Sequence, residues 1–551
     1  MFHSIKKPPT FVMKLFCDKK ILNCENKLIY FFIAVGIVLR LYYFFLNRSL
    51  WIDEVYLSSG IVMKDISDLL SGNLMYYQKA PLLFLFIQKF CIILFGNSEF
   101  SLRVFPLICS VASLFFMAPV AKYFLPKNFS WLAIAIIAIS GPLIHHSAEA
   151  KQYAADIMAT SLVLLLYVKA KINDTPKAVV LLAAMGALTI WVSFPIIFIM
   201  AGIGAALAVP VVRQKSKKLL FKYGAVSLFW LISFATSYFL ITKKFAESEW
   251  TVYWFNYYKY FISIPQTFQE LTWLPQRLYR MLGYPMGLWW KLPSVETTIF
   301  STVLKLGAAF SFIILLCGIF NVIRMKKHVL VLLSPFFFVL VANSLRLYPL
   351  GDRFWVFLAP IITILMARGV FLLCHNVKFK LVTYALPVIL LMGPIITSAQ
   401  LFIDEKEFLP EKRSSQRQTL NYIQANFKPG DVLYVYYTAK PGYILYKTFY
   451  HYNFPVILDP DHRLETNNYK EYFSKIKQDL GDLHSVKRIW LLFNYDFQTD
   501  IGEAIDTPEW YFNKTKPTDN VVVWFKSFAT PVLEKKDSDT HTYCFQINKS
   551  P

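Results

Sequence analysis

Residues 28–56 read LIYFFIAVGIVLRLYYFFLNRSLWIDEVY. From Leu28 to Leu46 the run carries one charge, Arg40, and at ~1.5 Å rise per residue it is long enough for one helix to cross a hydrocarbon core of ~30 Å. Two adjacent carboxylates, Asp53 and Glu54, follow directly, so the chain delivers them to the membrane surface where the span ends. Lys6, Lys7, Lys14, Lys19, Lys20 and Lys27 precede the run and no small-residue cleavage site follows it. The run is therefore predicted to be a retained first helix behind a basic cytoplasmic segment, residues 1–27.

Composition extends this reading to the whole chain. Of 551 residues 56% are apolar and only 17% charged, against roughly a quarter charged in soluble chains. Seven scattered cysteines exclude a disulfide-stapled secreted scaffold. The net charge of +22 lies in short clusters between apolar stretches, which is how cytoplasmic loops are marked, so it implies membrane lipid and no nucleic acid.

Eleven stretches approach spanning length: Leu28–Leu46, Arg103–Tyr123, Ser130–His145, Ala155–Val168, Ala178–Phe194, Pro195–Val212, Leu219–Thr242, Phe300–Ile323, Val329–Leu345, Phe354–Leu372 and Leu381–Ala399. A shorter one, Leu82–Phe95, is interrupted by Gln88 and Lys89. If it crossed, every later basic cluster (Lys169 with Lys171, Arg213 with Lys215, Arg324 with Lys326) would move outside, against the positive-inside rule. It is predicted to lie along the outer interface, within an outer juxtamembrane loop 47–102. Residues 28–400 then form the membrane domain.

After Gln400 charged residues become frequent. Helical patterns (Arg417–Phe427, Tyr469–Leu480) alternate with β-rich runs (Val432–Tyr437, Arg488–Phe493, Val521–Phe525, Thr542–Ile547), which predicts an extracytoplasmic α/β domain over residues 401–551.

Four places on the expected outer face hold ionisable groups. Asp53 and Glu54 also suit the first turn of a helix, where acids offset the helix dipole. Lys79, in Lys79-Ala80-Pro81-Leu82, also suits a lysine snorkelling to the interface. His145-His146-Ser147-Ala148-Glu149-Ala150-Lys151-Gln152-Tyr153-Ala154-Ala155-Asp156 reads either as a polar loop or as a site bringing Lys151 and Asp156 to the edge of a span. In Tyr348-Pro349-Leu350-Gly351-Asp352-Arg353, a surface pair between Asp352 and Arg353 is the plain alternative to a functional arginine. Arg40 itself reads as a snorkelling side chain.

Taken in order, these motifs, with Leu94-Phe95-Gly96-Asn97-Ser98-Glu99-Phe100-Ser101-Leu102-Arg103, resemble the bacterial membrane glycosyltransferases of the class C fold. These are relatives of lipid A aminoarabinose transferases and protein O-mannosyltransferases. The resemblance spans about residues 28–400. It implies an all-α polytopic enzyme of about 11 transmembrane helices in the bacterial inner membrane. The implied donor is a sugar on a polyprenyl phosphate and the acceptor a glycan, lipid or protein. By position it implies Asp53 as catalytic acid group with Glu54 beside it, Asp156 as second acidic residue, and Lys79, Lys151 and Arg353 on the donor phosphate. The sequence departs from relatives at Ala80, at Lys151, where many have Arg, and at Gln78, where metal-using relatives have Glu. The cofactor is unknown, and the motifs do not support a divalent metal. His145 and His146 are adjacent and cannot face one centre from a regular helix.

An inverting transfer needs a carboxylate to accept the acceptor's proton and cations to stabilise the leaving phosphate. The motifs supply both. A lipid-linked sugar flippase or other transporter is the alternative, and a non-catalytic sensor the third class.

Overall fold

The computed structural model describes residues 19–71, 74–243, 249–262, 267, 272–289, 298–376, 380–403, 414–481, 486–494, 508–511 and 517–548. All eleven expected spans are helical. The membrane-spanning region opens with α1 (Lys19–Phe45), α2 (Ile52–Met63), a short helix Ile66–Ser71, α3 (Leu82–Phe95), α4 (Glu99–Phe124) and α5 (Ser130–Ile139). Then come α6 (Gly141–Ser147), α7 (Tyr153–Asn173), α8 (Pro176–Ile190), α9 (Ile196–Gln214) and α10 (Lys217–Ser237). The last four are α11 (Thr298–Met325), α12 (Val329–Ser344), α13 (Ala359–Asn376) and α14 (Lys380–Ile403). Two further helices, Glu249–Tyr257 and Trp273–Gly283, lie between α10 and α11.

Among the described residues seven helices are long and apolar enough to cross a membrane, eight if the bent pair α5 and α6 is one span. The chain is a multi-pass membrane protein. The expected spans outside that count are α7, α8 and α12, of which α8 and α12 are short. With 14 residues, α3 reaches only ~21 Å and is too short to cross unaided.

Packing is closest where side chains are smallest. Helices α11 and α13 cross at Gly318 and Gly369: a Cβ on Gly318 would lie 1.9 Å from the Leu365 carbonyl oxygen, and one on Gly369 2.0 Å from that of Ile314. Only glycine permits that backbone contact. Beside it, α5 is buried from Leu132 to Ile139.

Gly141-Pro142 interrupts the helix after α5, and α6 departs at 61°. A broken helix leaves carbonyls without partners, which hydrocarbon cannot solvate. Arg40 solves this. It is fully buried and donates to the carbonyls of Ile137 (2.9 Å) and Ala138 (2.8 Å), to that of Gly36 (3.0 Å), and to Ser110 Oγ (2.7 Å). Ser398 Oγ donates to the Ile139 carbonyl. The snorkelling expected of Arg40 is thus replaced by a cap on an interrupted helix.

Among the described residues the C-terminal region holds one five-stranded sheet in the order β2-β1-β3-β5-β4, from β1 (Asp431–Val435), β2 (Val456–Leu458), β3 (Arg488–Asn494), β4 (Ala529–Lys536) and β5 (Thr540–Ile547). β1 pairs parallel with β2 and β3; β5 pairs antiparallel with β3 and β4. Its helices are α15 (Gln416–Asn426), α16 (Lys440–Tyr450), α17 (Tyr469–Leu480) and α18 (Pro517–Lys526). The strand expected at Val521–Phe525 lies inside α18, where Val521, Val522 and Phe525 face the core and Val523 faces out. That is a helical period, and it overrides the β preference of three consecutive valines.

Replacing Arg40 with Met keeps much of the volume but leaves two buried carbonyls bare, at a cost of about 1–3 kcal/mol each. Thermal unfolding in detergent is expected to show a lower midpoint for Arg40→Met and an intermediate one for Arg40→Lys. A wild-type midpoint for Arg40→Met would restore the snorkelling reading.

Candidate active site

Helix α2 starts at Ile52, so Asp53 and Glu54 both lie in its first turn, and their side chains have opposite fates. Glu54 is fully buried. Arg103 of α4 donates to Oε1 from Nε (3.3 Å) and Nη2 (3.1 Å) and to Oε2 from Nη2 (3.0 Å). The backbone amide of Ala150 donates to Oε1 (2.7 Å) and that of Trp51 to Oε2 (3.2 Å). Both oxygens are taken, and the bond from Trp51 is the back-bond of a helix-capping acid. Arg103 Nη1 also donates to the Arg48 carbonyl at 2.7 Å.

Asp53 is partly exposed and accepts from Arg353 Nη1 at 2.6 Å. Arg353 begins the turn before α13, and its guanidinium sits 5.6 Å from the Trp51 ring centre, 5.8 Å from Trp254 and 5.7 Å from Phe354. The partner is Asp53 and not Asp352, whose Oδ2 accepts from the Tyr260 hydroxyl at 2.5 Å. Tyr260 further fixes this turn by accepting from the Leu350 amide (2.9 Å). A Cβ on Gly351 would meet the Tyr260 ring at 2.4 Å, so the turn before Arg353 needs glycine.

Lys151, only 5% exposed, donates to Gln78 Oε1 at 2.6 Å. That bond ties the loop before α7 to the segment carrying Lys79. Burial pushes the Lys151 ammonium down to about 8, although Asp53, Glu149 and Glu54 pull the other way. Lys79 itself borders a small apolar cleft with Leu69, Leu74, Leu82, Leu85 and Ile241. Asp156, in the first turn of α7, is buried beside Ser193. Tyr153, three residues before Asp156 on the same turn, also has Arg353, Glu149 and Asp53 in its surroundings.

The two histidines diverge. His145 Nδ1 bonds the Tyr43 hydroxyl (2.8 Å); His146 Nδ1 bonds Glu149 Oε2 (2.5 Å) and its Nε2 the Tyr284 hydroxyl (2.9 Å). Glu149 Oε1 accepts from Trp51 Nε1 at 3.0 Å. Among the described residues no three His, Cys, Asp or Glu side chains converge as a metal site, and none is assigned. Arg103 and Glu149 stand in the quoted motifs without an assigned role, and Tyr260 lies outside them. Glu149 had a signal in its place between the histidines and Lys151, whereas Tyr260 had none.

Residues 79–239 match the family model of dolichyl-phosphate-mannose-protein mannosyltransferases. No curated protein matches the sequence. The structure is similar to that of ArnT from Cupriavidus metallidurans in the apo state: TM-score 0.52 at 10% identity, covering 94% of this chain and 97% of that one. The chain has the class C glycosyltransferase fold. ArnT bound to undecaprenyl phosphate is also similar, with TM-score 0.50 at 10% identity over the same shares. The class C fold thus embraces nearly the whole chain, including the C-terminal sheet that the motifs did not reach.

Glu54→Gln and Asp53→Asn should separate the two adjacent acids. The first leaves the buried Arg103 charge without its counter-ion, a loss of about 3–5 kcal/mol, so little monodisperse protein is expected from detergent extracts. The second removes a charge from a partly exposed pair, and near-normal yield is expected. Equal yields would show that Glu54 is not a structural hub.

Proposed function

We propose that the protein is an integral membrane glycosyltransferase that moves a sugar from a polyprenyl-phosphate carrier to an acceptor hydroxyl. The observation that carries this reading is the pairing of Asp53 with Arg353 beside the buried Lys151, in a chain folded like ArnT. Arg353 and Lys151, with Lys79 on the segment bonded to Lys151, supply cations for the donor phosphate. A guanidinium can hold two phosphate oxygens at once, and its contact strengthens as charge develops on the leaving oxygen. A phosphate arriving there competes with Asp53 for Arg353, and a carboxylate released from a cation becomes more basic. Asp53 then accepts the acceptor's proton as the hydroxyl attacks the anomeric carbon, in one inverting displacement without a covalent intermediate. Asp156 is assigned to the same site as a second carboxylate. Glu54 is assigned a supporting role, because both its oxygens are already bonded.

The basic clusters between helices support an arrangement in the bacterial inner membrane with residues 1–27 cytoplasmic and the domain after Gln400 outside. The acceptor is a glycan, lipid or protein. A transporter remains the second reading because α5 and α6 form a discontinuous helix, a device of ion and substrate sites in transporters. Here Arg40 and Ser398 occupy the freed carbonyls, which argues against a cargo site at the break.

A panel of polyprenyl-phosphate sugars, with mass spectrometry of envelope glycans from a deletion strain, tests the reading directly. Asp53→Asn should lower turnover by 10²- to 10⁴-fold, the usual contribution of a positioned base. Near-normal turnover would remove Asp53 from the mechanism. Lys151 adds a pH test. Because burial lowers its pKa to about 8, its charge is present below that value and lost above it. Affinity for undecaprenyl phosphate should therefore fall between pH 7.5 and 9.5, approaching tenfold per unit, and Lys151→Met should bind more weakly with a flat profile. A profile unchanged by the substitution would remove Lys151 from the phosphate site.

A further inference from the structure

The segment leading into α2 is held from two sides. Arg103 of α4 takes the Arg48 carbonyl. From the C-terminal domain, Arg417 of α15 donates to the Asn47 carbonyl, Gln418 Oε1 accepts from Ser49 Oγ at 2.5 Å, and the Tyr446 hydroxyl of α16 accepts from the Leu50 amide at 2.7 Å. Leu50 and Tyr446 are both fully buried, so no water can replace that hydroxyl. Arg417 is anchored in turn by Glu99 Oε1 at 2.6 Å, and Tyr450 donates to Glu99 Oε2 at 2.7 Å. Glu99 is buried in the first turn of α4, the helix that carries Arg103. Around these bonds Leu50, Val55 and Leu57 share one apolar core with Leu420 and Tyr443.

Asp53 is the third residue after Leu50, whose amide Tyr446 holds. We propose that the C-terminal domain is a working part of the active site, with Tyr446 and Arg417 acting as positioning residues for Asp53. This rests on the reading of Asp53 as the base. Arg353 and Lys151 stand on other elements, so loosening residues 47–51 should displace the base more than the phosphate cations, of which Arg353 also touches this segment through Trp51. A misplacement of about 1 Å in a reacting group can cost on the order of 100-fold in rate.

The test uses the full chain carrying Tyr446→Phe, Arg417→Met or Arg417→Lys, with three readouts: amide hydrogen exchange over residues 47–57, binding of undecaprenyl phosphate in nanodiscs, and restoration of the envelope glycan in a deletion strain. Tyr446→Phe and Arg417→Met are expected to speed exchange in that segment by tenfold or more and to lower glycan restoration about 10- to 100-fold. Undecaprenyl phosphate affinity is expected to stay within twofold. Arg417→Lys, which keeps a charge for Glu99, should restore most of the output. Unchanged exchange, or a loss of lipid binding as large as the loss of glycan, would overturn the proposal. Asp53→Asn is carried alongside: full glycan output from that variant overturns the reading of the base and leaves the exchange result standing on its own.

Discussion

Burying the Glu54 carboxylate with the Arg103 guanidinium is the constraint on which the candidate site depends. Taking two ions out of water costs several kcal/mol for each, and attraction repays this only when the remaining hydrogen-bonding positions are filled. Here they are filled from the amides of Trp51 and Ala150 and through the Arg48 carbonyl. One ion pair thereby joins α4, the start of α2, its leading segment and the loop before α7. Successive residues of a helix point about 100° apart. Once Glu54 is locked inward, Asp53 has to face elsewhere, and it faces Arg353.

The break between α5 and α6 has a comparable consequence. An interrupted helix inside a membrane is tolerated only if its free carbonyls find donors, and Arg40 and Ser398 provide them. The redirected α6 carries His146 toward Tyr284 and Glu149, and Glu149 reaches back to the Trp51 indole. Trp51 in turn lies against the Arg353 guanidinium. The residue that sequence reading set aside as a snorkelling arginine is therefore linked, through the helix it caps, to the surroundings of the candidate site.

Hydropathy made the membrane-spanning helices readable, because a span's length and apolar character are local properties of the chain. The adjacent carboxylates and Arg353 were readable as motifs. Their division of labour was not, since nothing local to Asp53-Glu54 says which one Arg103, forty-nine residues away, will bury. The same holds for Arg353: its neighbour Asp352 was the obvious partner, yet Tyr260 claims Asp352. In the C-terminal domain the β-rich runs gave β1, β3 and β5. Edge strand β4 escaped because Pro531, Lys535 and Lys536 mask it, as such residues do on sheet edges. Val521–Phe525 misled because residue preference was weighed above period.

The strength of the Asp53–Arg353 pair bears on whether such a site could work. A partly exposed ion pair is worth only about 0–1 kcal/mol, because each charge keeps some of its water. A fully buried pair would resist separation far more, as the one at Glu54 must. On the proposed mechanism the exposed acid is the one that must give up its cation to a phosphate, and the buried acid is the one that must never do so. Two adjacent residues of one helical turn meet these opposite demands through a difference in burial and in bonding partners. Exchanging their environments would leave a base that cannot be released and a scaffold that opens to water.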